Sequence, residues 1–352
     1  MFYFKKGKFT LSKRRFYKKN RQKQKNKKRL LITALLLGLA IAVYSGYVFY
    51  EAYQAASKTY DDLDRDKSEL REEQVEIKDE PVSILIMGVE TYGSGGNNGR
   101  ADALMLATFN PNDKTAKLVS IPRDTRVQIP GRTYPEKINH AYAYGEEILM
   151  IETVEDFLNV PVDYYVTVNF DGFKNIIDTV DGVTVDVPFD FKEKSDDPDE
   201  EWLYFEEGPM HLDGRYALAY VRMRYEDPLG DIGRTDRQKQ LIASLVDRVI
   251  SPSTLLKVNE IAENIAANVQ TNVKMSDGIS FLRNYSDFGS GNIESLSFEY
   301  TTDYIDNISY VIIEENDAEE IASILRQHLE IEVPTKDTSI NQSTETGDSI
   351  QY

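Results

Sequence analysis

The 352-residue chain contains no cysteine, which excludes a disulfide-stapled miniprotein, cysteine-ligated zinc, a thiol nucleophile and an iron–sulfur cluster. At ~150 residues per domain the length suits two ordinary domains or one large α/β domain with accessory segments, and 41% hydrophobic with 28% charged residues excludes wholesale disorder. The net charge of −18 is unevenly placed: residues 1–29 carry 14 Lys and Arg and no acid, leaving −32 on residues 30–352.

After the basic tail 1–29, residues 30–50 read LLITALLLGLAIAVYSGYVFY, 21 positions without a charge. A helix of that length, at ~1.5 Å per residue, crosses a ~30 Å hydrocarbon layer. Tyr44, Tyr47 and Tyr50 gather near its end, and the preceding Lys/Arg block predicts an inside N-terminus and an outside body. A cleaved signal peptide, with a site near Ala52, Ala55 and Ala56, is the competing reading, but its apolar core would be shorter, about 7–15 residues. Anionic-lipid attraction and topology explain the basic tail more simply than nucleic-acid binding does.

Residues 51–80 are dense in charge and free of Pro and Gly, as expected of an exposed helical stalk or a disordered spacer. From 81 to 334, short β-like runs alternate with helical patterns, which predicts one domain. Residues 335–352 form a polar tail expected to be disordered. Strands are expected at 82–89, 104–109, 116–121, 164–168, 183–187 and 310–313, the second and third joined as a hairpin by Asn110-Pro111-Asn112-Asp113. Helices are expected at 146–158, 171–180, 213–222, 234–249, 255–269 and 317–329, the last with Asn316 as cap and Glu319 completing a capping box. This mixture predicts an α/β/α sandwich around a mixed sheet.

Three loops concentrate Gly, Arg and Asp beyond apolar strands, where open α/β sheets bind ligands. The first, GVETYGSGGNNGRAD at 88–102, lacks the pattern of a P-loop or a Rossmann turn. It supplies the carboxylates Glu90 and Asp102, which with water and substrate phosphate would make a magnesium site, and Arg100 beside them. A mobile surface loop is the plainer reading. The second, SIPRDT at 120–125, offers Arg123 for bidentate phosphate binding, or an Arg123–Asp124 structural pair. The third, YVRMRYEDPLGDIGRTDRQ at 220–238, holds four arginines. Arg222 and Arg224 share a side if the chain is extended, and Arg234 and Gln238 share a face at a helix start, an arrangement suited to anions. An ion-pair network with Glu226, Asp227, Asp231 and Asp236 is the alternative. His140, His211 and His328 show no metal spacing, and a structural role suits His140 and His328 best.

In order along the chain, ILIMGVE, NNGRADALMLATFNP, LVSIPRDT, KINHAYAYG, VNFDGFKNIIDTVDGVTVDVP, HLDGRYALAYVRMR and GDIGRTDRQKQLI resemble the LytR-CpsA-Psr family of Gram-positive envelope proteins over residues 82–250. The resemblance implies a membrane-anchored extracellular phosphotransferase that moves a glycan-1-phosphate (wall teichoic acid, capsule or similar) from a polyprenyl pyrophosphate donor onto peptidoglycan. It implies Mg²⁺ or Mn²⁺ at Glu90 and Asp102, although the family usually has Asp where this chain has Glu90. It also implies pyrophosphate binding by Arg100, Arg123, Arg222, Arg224, Arg234 and Gln238, with Asp231 in support, and puts Asp102, Arg123 and Arg224 at the chemistry. The lipid tail would occupy an apolar cleft. Competing classes are a non-catalytic wall-binding scaffold, a lipid-pyrophosphate hydrolase and a DNA-binding regulator; the −32 body argues against the last.

Overall fold

The computed structural model describes residues 60–77, 79–90, 99–197, 201–249, 268–274, 277–278, 280–281 and 290–331. The basic tail 1–29, the apolar segment 30–50, residues 255–267 of one expected helix and the polar tail 335–352 lie outside the described residues. Among the described residues no helix is long and apolar enough to cross a membrane.

The chain forms β1 (Val82–Glu90), β2 (Arg100–Asn110), β3 (Thr115–Ser120), β4 (Arg126–Val127), β5 (Glu136–Lys137), α1 (His140–Leu158), β6 (Tyr164–Asn169), α2 (Phe170–Thr179), β7 (Val183–Val187), β8 (Phe191–Lys194), β9 (Trp202–Phe205), β10 (Gly208–Leu212), α3 (Gly214–Arg222), α4 (Asp231–Val249), β11 (Val269–Thr271), β12 (Ile293–Leu296), β13 (Thr301–Ile305), β14 (Ile308–Ile312) and α5 (Glu315–His328). The main sheet runs β11-β6-β1-β2-β3-β12. Strands β1 and β6 are parallel, as are β3 and β12, while β1–β2, β2–β3 and β6–β11 are antiparallel. The expected hairpin of the second and third strands is thus present.

Period-two side-chain alternation explains why the central strands read as nearly continuous apolar runs. Leu85, Met87 and Val89 of β1 and Leu104 and Leu106 of β2 enter one core with Met150, Ile151 and Val154 of α1 and Ile321 and Leu325 of α5. Their neighbours point the other way: Met105, Ala107 and Leu118 pack with Ile242 of α4. Helices therefore cover both faces of a mixed sheet. A second core joins β7 to β10 with α2 and α3 through Ile177, Val185, Phe205, Ala217 and Tyr220.

Several expectations are corrected. Residues 60–77 are not an exposed helical stalk; they lie in turns against the domain, with Ser68 and Ile77 buried. The charges that suggested solvent are paired, Arg65 with Glu155 and Arg71 with Asp163, each at 2.7 Å. Val269, expected as the end of a helix, belongs to strand β11. The capping box at Asn316 is absent: α5 starts at Glu315 behind Glu314, which makes no side-chain cap bond, and Glu319 pairs instead with Arg326. Helix α4 starts at Asp231, three residues before the expected position.

Candidate functional site

At the open end of β1 and β2 the two strands change register. Gly88 faces Ala103 and Val89 faces Ala101, so Asp102 is the extra residue of a β-bulge, while Glu90 and Arg100 face one another. A bulge bends its strand and re-aims the extra side chain. The strands also approach closely here, since a Cβ on Gly88 would lie 3.0 Å from that of Ala103. Asp102, so aimed, meets the Arg123 guanidinium at 2.8 Å.

Arg123 stands on a locked turn. Strand β3 ends at Ser120, Ile121 donates its N–H to Leu104, and Thr125 donates both its N–H and its hydroxyl to the Pro122 carbonyl. The Arg123 carbonyl accepts the Asn139 N–H at 3.3 Å. In place of the alternative Arg123–Asp124 pair, Asp124 pairs with Lys137 at 2.8 Å and Arg123 with Asp102.

The third constellation is organised by a residue to which sequence reasoning gave no role. Arg222 ends α3 with its guanidinium 5.0 Å over the Phe170 ring. Met223 then turns extended (ψ 133) with its side chain buried, and Arg224 follows. Arg237 pins this exit from inside: its Nε donates to the Tyr220 carbonyl at 3.0 Å, one terminal nitrogen donates to the Met223 carbonyl, and the other pairs with Asp227. Both side chains of that ion pair are almost fully buried. Gly233 makes room for it, because a Cβ there would collide with the Asp227 carboxylate. The ion-pair alternative therefore holds for one of the four arginines: Asp227 pairs with Arg237. The signal for Arg237 was its i,i+4 spacing to buried Leu241, which puts it on the inner face of α4.

Arg234 is buried in the first turn of α4, and Gln238, one turn on, reaches the Val221 carbonyl at 3.5 Å. Asp231 is the first residue of that helix. The second and third constellations meet at a pocket of about 100 Å³, where Pro122, next to Arg123, and Thr235, next to Arg234, share a wall with Lys239 and Phe298. Lys239 donates to the Ser297 hydroxyl at 2.7 Å and to the Leu296 carbonyl, and burial pushes its ammonium below the ordinary lysine range. Asp102 thus touches Arg123, and the Arg123 turn and the Arg234 turn flank one cavity.

The histidines behave structurally. His140 Nδ1 lies 3.1 Å from Glu136, whose carboxyl is held below its ordinary range first by the Tyr144 hydroxyl and then by His140 and Arg132. His328 is buried between the hydroxyls of Thr108 and Thr115, at 2.7 and 2.9 Å. Among the described residues no group of three or more His, Cys, Asp or Glu could hold a metal. Glu90 lies across the strand pair from Arg100 and Asp102 bonds Arg123; as residue types, one or two such carboxylates are the ligands Mg²⁺ takes alongside water and substrate phosphate.

The sequence model of the LytR_cpsA_psr family matches residues 46–327. The polyisoprenyl-teichoic acid–peptidoglycan teichoic acid transferase TagV of Bacillus subtilis is 45% identical over 317 residues, spanning 89% of this chain and 80% of that protein. The crystal structure of B. subtilis TagV matches with a TM-score of 0.66 over 73% of this chain and all of that one. A structure of TagT bound to LI-WTA matches at 29% identity and a TM-score of 0.64, covering 76% of this chain and 98% of that one.

Proposed function

Because the chain belongs to the LytR_cpsA_psr family, we propose that it transfers a glycan-1-phosphate, of the teichoic acid class or similar, from a polyprenyl pyrophosphate donor onto a peptidoglycan hydroxyl. The observation that carries this reading is the Asp102–Arg123 contact beside the pocket shared with the Arg234 turn. In the reaction the acceptor oxygen attacks the sugar-bearing phosphorus, the bond from that phosphorus to the bridging oxygen breaks, and polyprenyl phosphate departs. Phosphoryl transfer of this kind needs positioning and charge stabilisation more than covalent help.

Asp102 holds Arg123 by one charged hydrogen bond at 2.8 Å, so the planar fork is positioned before the donor arrives. Arg222, Arg224 and Arg234 take further non-bridging oxygens, with Arg100, Gln238 and Asp231 around them. Arg237 touches no substrate in this scheme and fixes the turn that aims Arg222 and Arg224. Mg²⁺ or Mn²⁺ on Asp102 and Glu90, when bound, neutralises charge on the pyrophosphate. The basic tail and apolar segment 30–50 support a single-pass membrane protein with its catalytic domain outside, where a lipid-linked donor and membrane lipids are at hand.

The test is to supply the protein with a lipid-pyrophosphate saccharide and peptidoglycan fragments, with and without Mg²⁺. A phosphodiester-linked product that disappears on chelation is expected. Release of the saccharide phosphate to water, with no linked product, would replace transfer by hydrolysis.

A further inference from the structure

The β8–β9 hairpin has two unlike faces. Its inner face is finished: Phe191 and Phe205 stack at 4.4 Å, both lie within about 6 Å of the Tyr220 ring, and the Arg237 guanidinium sits over Phe191. Its outer face carries Lys192 opposite Tyr204 and Lys194 opposite Trp202. There Trp202 is 43% and Tyr204 64% exposed, with the Lys192 and Lys194 ammoniums 4.8 and 5.7 Å from the Trp202 ring centre. Trp202 is the only tryptophan in the chain.

We propose that this outer face is a stacking platform for the glycan strand of the acceptor, a polymer of amide-bearing pyranose sugars. The inference rests on the transfer reading for the identity of the polymer and on the hairpin for the place. Two aromatic side chains on one strand face stand about 7 Å apart. Each offers a π-face to the C–H face of a pyranose ring, while the lysines donate to carbonyls and carboxylates at the ring edge. Three of the neighbouring acids are already paired: Asp196 with Lys174 at 2.6 Å, and Asp197 and Glu201 with Arg215 at 2.7 and 2.6 Å. The platform is joined to the arginine site through the Lys192 N–H, which donates to Glu226 at 3.1 Å two residues beyond Arg224. A strand seated on Trp202 and Tyr204 would therefore run beside the transfer site.

The single tryptophan makes the test direct. The full-length chain, held in nanodiscs of neutral phospholipid, is titrated with peptide-free glycan strands from peptidoglycan while its tryptophan emission is followed. A saturable change is expected, absent with dextran, and weakened about threefold to fivefold in Lys192→Ala and in Tyr204→Ala. In transfer assays Trp202→Ala is expected to raise KM for polymeric acceptor several-fold while leaving KM for donor and the melting temperature unchanged. No saturable emission change in the wild-type chain overturns the platform, as does equal binding by Tyr204→Ala. An emission change produced by anionic lipid in the disc, with no response to glycan, reassigns the face to membrane contact. The titration needs no donor, so binding without transfer would refute the proposed reaction and leave the platform standing.

Discussion

Asp102 and Arg123, from the ends of neighbouring antiparallel strands, meet at 2.8 Å because a bulge in β2 turns the acid toward the β3 exit. Each side chain keeps about a quarter of its surface exposed, so the pair is open to an incoming anion. Asp102→Ala is expected to lower transfer by at least about 10²-fold, the typical cost of one strong electrostatic contact, with an unchanged melting temperature. Arg123→Lys keeps the charge but loses the fork and should also fail. A folded, fully active Asp102→Ala protein would remove this pair from the chemistry.

Arg237 and Arg224 separate structure from catalysis. Arg237→Ala leaves Asp227 buried without its cation and should cost about 3–5 kcal/mol of stability, read as a fall in the denaturation midpoint. Arg224→Ala should retain the midpoint and lose transfer. If the two substitutions exchanged these outcomes, the roles assigned here would be reversed.

Much of this was legible in advance, and the misses have physical causes. The strands at 82–89, 116–121 and 183–187 announce themselves because both faces of the main sheet are covered and β7 alternates cleanly. The bulge at Asp102 is invisible in sequence, since it depends on how two strands slip past each other. The β8–β9 hairpin was missed because Lys192, Lys194 and the acidic loop dilute the pattern of Phe191, Leu203 and Phe205. Residues 60–77 read as a solvated stalk because the partners of Arg65 and Arg71, Glu155 and Asp163, lie about 90 positions away. Arg123, Arg222, Arg224 and Arg234 could be picked out by composition; that the turns carrying Arg123 and Arg234 flank one pocket could not.

Glu146 interrupts α1 with φ 52 and ψ −142 beside Gly145, a conformation costly for any residue with a Cβ. Glu146→Gly is expected to stabilise the protein by about 1 kcal/mol, the relief of strain exceeding the entropy added to the unfolded chain. Chemical denaturation would detect this, and a loss of stability would show that the Glu146 side chain contributes more than its backbone costs.

Burial holds the His328 pKa below its ordinary 6.5, with Asp113 opposing and Lys117 reinforcing the shift. The unfolded chain therefore takes up this proton first, so the stabilising contribution is complete above pH 6.5 and declines as pH falls through the lower folded-state value. His328→Gln should shrink the difference in melting temperature between mildly alkaline and mildly acidic buffer. An unchanged difference would assign that acid sensitivity to other groups.

Glu90 stands where the family resemblance calls for Asp. Glu90→Asp should preserve transfer and its Mg²⁺ dependence, because it keeps the carboxylate and shortens only its reach. Assaying the variant across Mg²⁺ concentrations checks this; complete loss of activity would show that the longer side chain is required in this chain.

If the chain is a transferase, one donor consumed gives one glycan joined to peptidoglycan. That stoichiometry is tested by quantifying, in one reaction of the full-length chain with Mg²⁺, the polyprenyl phosphate released and the phosphodiester-linked product formed. Equal amounts of the two are expected, both absent in Asp102→Ala. Polyprenyl phosphate released in excess of linked product, or equal amounts persisting in Asp102→Ala, would contradict the proposed transfer.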